Sequence, residues 1–141
     1  MRTRQIGLTV ALLGLLIGVV TAVQQFLPVV AHRSAVSLGE MAIGLSAISF
    51  LLAPVFLFLT GYWAAGRADI PAEYTSFAAL FGLVGGGAAL VGFVPAAIAI
   101  IPSGSFELTL VWSALYNVVV RGIDFAITGL AGGAVRHFSG R

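Results

Sequence analysis

Ser113, Asn117, Arg121, Asp124 and Thr128 are the residues of this chain whose types and spacing could do chemistry. They follow one another at intervals of four, four, three and four. At about 100° per helical residue they fall within an arc of roughly 80°. Two hydroxyls, an amide, a guanidinium and a carboxylate on one face could guide an ion, hold an anionic solute, or dock a polar group from another chain. A buried Arg–Asp pair among such neighbours also has a purely structural use, the fixing of helix register. Arg121 and Asp124 are three apart and can meet on one helix, although acid after base is the weaker order for such a pair. Partners on other segments are therefore expected, with Gln24, Gln25, Ser46, Ser49 and Thr60 as candidates.

The surroundings of the stripe give it weight. Of 141 residues, 60% are hydrophobic, 9% are charged and 18 are glycine. Mean hydropathy is +1.09. Soluble domains carry roughly a quarter charged residues, so this chain cannot cover itself with a solvated surface. The composition excludes a water-soluble globule, a disordered tail and a nucleic-acid binder. Seven arginines against five acids give a net charge of +2, but all the arginines except Arg121 sit at segment ends, and they form no phosphate-tracking patch. Without cysteine there are no disulfides, thiolate metal sites or thiol nucleophiles.

A hydrocarbon core of about 30 Å takes on the order of 20 helical residues to cross. Charge-free runs cover 5–31, 41–66 and 74–106, and a fourth run, 108–135, is interrupted by Arg121 and Asp124 alone. The runs lack period-two alternation and exceed a barrel strand's length, so helices are expected. The expected fold is all-α: one integral membrane domain, 1–141, with four transmembrane helices near 6–30, 41–66, 75–101 and 107–135. Met1-Arg-Thr-Arg before an apolar stretch, with Val29-Val30-Ala31 as a small-residue site, has the order of a signal peptide. The stretch is longer than such segments, and the first helix is expected to be retained.

Arg2, Arg4, Arg67, Arg136 and Arg141 fall on one side of such a bundle, while His32, Arg33 and Glu107 fall on the other. The positive-inside rule then puts both termini in the cytoplasm of a multi-pass cell-membrane protein. Tyr62, Trp63 and Tyr74 would mark the inner interface, and Phe26, Phe106 and Trp112 the outer one.

Small residues form two stripes. Gly7, Ala11, Gly14, Gly18 and Ala22 share a face of the first helix, and Ala79, Gly82, Gly86 and Ala89 share one on the third. Such faces allow close backbone approach, which holds helices together in lipid, so helices one and three are expected to cross along them. The alternative use is a homodimer contact. ALxGLxxG occurs at 11–18 and again at 79–86, an offset of 68 that also pairs Thr60-Gly61 with Thr128-Gly129. Two parallel-repeated helical hairpins would produce this pattern, related by an axis along the membrane normal.

Pro54 and Pro95 each remove a hydrogen bond inside a helix and are expected to kink it. Gly85-Gly86-Gly87 lacks the strand and the Lys-Ser/Thr of a phosphate loop. His32 and His137 stand apart from any ligand-spaced group, and no metal or cofactor is expected. A lone interior Asp matches no reaction template, so catalysis is not expected either.

The run from Leu57 to Asp69, LFLTGYWAAGRAD, with the glycine-rich segment after it, resembles small four-helix membrane proteins of archaea with a Gly-Tyr-x-Ala-Gly-like end to helix two. The likeness covers roughly residues 50–92 and departs at Trp63-Ala64 and at the Arg121/Asp124 pair. It implies membrane location and no activity. Two readings remain. One is an accessory or scaffolding protein packing against itself or a larger membrane complex through glycine-rich faces. The other is a small oligomeric transporter or channel with its polar route along the fourth helix.

Overall fold

A computed structural model describes residues 2–32, 36–67, 70–101 and 108–139. Arg33, Asp69, Phe106, Glu107 and Arg141 lie outside the described residues. Four helical spans are long and apolar enough to cross a membrane: Arg4–Gln25, Leu38–Ala65, Ala72–Ile100 and Leu110–Ser139. The protein is an all-α, four-span membrane bundle. In hydrocarbon every backbone donor and acceptor must be satisfied within the chain, and helices do this locally.

The first span pauses at Phe26 and continues as a short helix, Leu27–His32. The second begins with a capping box: Ser37 Oγ accepts from the Glu40 backbone N–H, and the Glu40 carboxylate accepts from the Ser37 N–H. That satisfies two donors that a helix start otherwise leaves open. At Pro54 the second span does not break. It widens into a π-helical stretch, Leu51–Phe56, which absorbs the missing N–H. A second π stretch, Leu80–Val84, interrupts the third span just before its glycine run, and Pro95 sits within the helix Gly85–Ile100.

The first span lies along the third and the second along the fourth; the third and fourth also pack together. Glycine makes these approaches possible. A Cβ on Gly18 would overlap the Ala89 carbonyl oxygen, and one on Gly92 would overlap that of Leu15. Across the second and fourth spans, a Cβ on Gly61 would strike the Gly129 carbonyl. Between the third and fourth spans the fit is knob and hollow. The Phe125 ring fills the space above Gly85, and the Phe81 ring fills the space above Gly129. Both rings are fully buried, with Leu57, Val10 and Ile17 in the same core. Phe77 stacks on Phe81 at 4.7 Å between centroids.

Lipid tails are as apolar as this interior, so burial itself drives little association. Close packing has to supply it. The second span takes the smallest share of that packing. Only 6% of its most apolar stretch is buried within the chain, against 39% for the first span, and Leu38–Phe50 has no buried residue.

Candidate functional site

The fourth span, a continuous helix from Leu108 to Ser139, carries the polar stripe at its middle. Arg121 stands about 20 Å along the axis from Leu108 and about 27 Å from Ser139. Ser113, Asn117, Arg121, Asp124 and Thr128 are all half-buried, whereas Trp112, Tyr116, Val119, Ile123 and Ile127 on the other side are exposed. The helix therefore turns its polar face to the bundle and its apolar face outward. A charged side chain at this depth costs a few kcal/mol when it meets lipid.

The stripe makes two kinds of contact. Toward the His32 end of the bundle it forms a ladder with the first span. Gln25 Nε2 donates to Ser113 Oγ at 2.8 Å, and Asn117 Nδ2 donates to Gln25 Oε1 at 3.2 Å and to the Ser113 carbonyl at 2.8 Å. One turn deeper, Arg121 Nη2 donates to Thr21 Oγ1 at 3.2 Å, and Thr21 donates on to the Ile17 carbonyl at 2.7 Å. The second contact is the ion pair itself, with Arg121 Nη1 3.6 Å from Asp124 Oδ2. Arg121 thus faces two ways, holding the first span through Thr21 and Asp124 through charge.

Of the expected partners, Gln25 joins the ladder. Gln24 instead donates to the Leu45 carbonyl on the second span, and Thr60 donates to the Phe56 carbonyl within its own span. Thr21 was not among the candidates. Its signal was its spacing, four residues after Ile17 and four before Gln25, which puts it on the face of the first span that carries the amide.

The first and fourth spans are bridged here by side chains reaching between them. Replacing Gln25 with Leu removes the link to both Ser113 and Asn117. Interhelical hydrogen bonds in lipid average about 0.6 kcal/mol each, so Gln25→Leu is expected to cost about 1 kcal/mol in detergent melting experiments. The cross-linking yield between cysteines placed on the first and fourth spans should fall with it.

Asp124 opens onto a cleft of about 220 Å³ lined by Ile17 of the first span, Ala53, Pro54 and Leu57 of the second, and Arg121, Phe125 and Thr128 of the fourth. The π stretch around Pro54 forms one wall. The Asp124 side chain is 49% exposed and that of Arg121 21%. A carboxylate half open at mid-bilayer needs a polar group, water or an ion in front of it.

The stripe glycines are distributed differently from the spacing-based expectation. Gly14 and Gly18 on the first span do meet the third, where Gly14 lies against Gly85 and Ala88 and Gly18 against Ala89 and Phe93. Ala11 is half-buried, and Gly7 has open space in front of it. On the third span Ala79 is exposed, and Gly82 and Gly86 lie against Gly122 of the fourth span. The third span meets the first through Gly85, Ala88, Ala89 and Gly92, and it gives its 82/86 face to the fourth.

Comparison with protein-family models, with curated proteins and with solved structures gave no match.

Proposed function

We propose that this protein is an accessory subunit of a membrane assembly. It docks a second membrane chain, another subunit or a copy of itself, along its second span. The observation that carries this is the half-open Asp124 beside the least covered span: Ala53, Pro54 and Leu57 of that span line the cleft where the carboxylate emerges. A partner helix laid there would cover an uncovered face and bring a donor to Asp124. Gly44, on the same span, has open space in front of it. Most of the closely packed glycines serve contacts within the bundle, so the second span takes over the docking role that the glycine stripes suggest. The likeness of residues 50–92 to small archaeal membrane proteins fits a bundle of this kind and brings no activity with it.

The orientation in this reading has both termini in the cytoplasm of the cell membrane, on the strength of the arginines at that end. It involves no catalysis. Purification in a gentle detergent, with mass spectrometry of what comes along, is expected to give a defined oligomer or a stoichiometric partner. Gly44→Trp should disperse it without lowering the melting temperature of the bundle. A stable monomer with no bound protein would overturn the reading.

A second reading rests on Arg121, which lines the cleft and also bonds Thr21 one turn from the ladder. Arg121 and Asp124 would then belong to a polar route running to Ser113, in a transporter that acts as an oligomer. Liposome flux unchanged in Arg121→Leu and Asp124→Asn would remove those residues from any such mechanism.

A further inference from the structure

The arginine-rich end of the bundle holds a second cleft, separate from the Asp124 site. It has a volume of about 480 Å³ and is lined by Tyr62, Trp63, Gly66 and Arg67 at the end of the second span and by Arg136 at the end of the fourth. Two guanidiniums from two spans line it, and no carboxylate lines it among the described residues. Each is held in place by an aromatic ring. Arg67 Cζ lies 4.1 Å from the centre of the Trp63 ring, and its Nη1 donates to the Trp63 carbonyl at 3.4 Å. Arg136 Cζ lies 5.1 Å from the Tyr62 ring centre, and its Nη1 donates to the Tyr62 hydroxyl at 3.0 Å. Gly66 lies beside both, and a Cβ there would make ordinary contact with Arg136 Nε at 3.7 Å.

We propose that this cleft binds the phosphate of an anionic lipid headgroup. Two pre-positioned guanidiniums offer forked donors matched to phosphate oxygens, and like charges brought to one cleft are relieved by an anion between them. The location selects a lipid over a free anion. The cleft sits where the second and fourth spans end, at the depth of headgroups. On its bilayer side, Leu59 of the second span, one turn before Trp63, and Val135 of the fourth, just before Arg136, are exposed and offer apolar surface to acyl chains. Basic pockets between membrane helices recognise anionic headgroups in this way.

The test uses the full chain in detergent and native mass spectrometry with added phosphatidylglycerol or phosphatidylcholine. Each arginine near an anionic headgroup is worth about a factor of five. Retention of phosphatidylglycerol over phosphatidylcholine is therefore expected to be on the order of thirtyfold. It should fall to near parity in Arg67→Gln/Arg136→Gln and hold in Arg4→Gln. Because Arg136 also bonds Tyr62, the single variant Arg67→Gln gives a second measurement, expected to lose about fivefold with its melting temperature unchanged. Equal retention of the two lipids overturns the proposal, as does a preference that survives the double variant. Displacement of phosphatidylglycerol by inorganic phosphate overturns it too and assigns the cleft to a free anion. These outcomes are independent of whether a partner docks at Asp124.

Discussion

Gly61→Val is expected to cost the bundle more than about 3 kcal/mol, the upper end of what overpacking does. In practice it should abolish recovery of folded protein from the membrane. The reason is what the new carbon meets. A Cβ at position 61 points into the carbonyl, carbonyl carbon and Cα of Gly129. Backbone cannot rotate out of the way as a side chain can, so the second and fourth spans must separate over their main contact. Gly44→Val on the same span is the matched control. Among the described residues no neighbouring element comes within 4 Å of a Cβ there, and valine is a somewhat better helix former than glycine, so its melting temperature should equal or slightly exceed the parent's. Circular dichroism melts of both variants in one detergent decide the matter. A Gly61→Val protein that melts within a few degrees of the parent would mean the two spans do not cross at Gly61 and Gly129.

Gly61 also marks how far the sequence alone could be read. The spans were legible because the bilayer imposes a length and a polarity on them, and few charges intrude. The polar face of the fourth span was legible because helical spacing fixes which residues share a side: Ser113 through Thr128 share one, and Ile123 and Ile127 lie opposite. Pairing of neighbours was harder. The third span has glycine at 82, 85, 86, 87 and 92, so small residues run nearly all the way round it, and spacing cannot choose the face that meets the first span. Tertiary order chose 85, 88, 89 and 92 for that contact and left 82 and 86 to Gly122. Gly61 lies against Gly129, whereas Gly14 and Gly18 lie against Gly85 and Ala89. Thr21 was hidden for another reason. One hydroxyl in an apolar helix can bond its own carbonyl four residues back, as it does to Ile17, and so needs no outside partner. Its role as acceptor from Arg121 exists only once the fourth span is alongside. The Pro54 kink became a π turn because an extra residue in the turn removes the need for the missing donor.

Arg121→Leu should be the second most damaging change, and its rescue the more informative result. Removing the guanidinium leaves Asp124 without its cation and Thr21 without its donor. Breaking a fully buried pair costs about 3–5 kcal/mol. With half of the Asp124 side chain open to the cleft, about 2 kcal/mol is expected, read as a fall in melting temperature. Arg121→Leu/Asp124→Leu should recover to within about 1 kcal/mol of the parent, because an apolar pair of similar shape carries no desolvation cost at mid-bilayer. The cycle completed by Asp124→Leu isolates the coupling, which should exceed about 1 kcal/mol for groups in contact. An Arg121→Leu protein as stable as the parent would show that the pair contributes nothing to the fold. The doubly substituted protein then separates structure from function. It is folded, its second span is untouched, and only the charge offered to the cleft is gone. If Asp124 serves a docked helix, this variant melts like the parent and elutes without its partner. If the pair serves only to hold the first span against the fourth, the partner stays bound, and the docking surface must be sought along the apolar half of the second span.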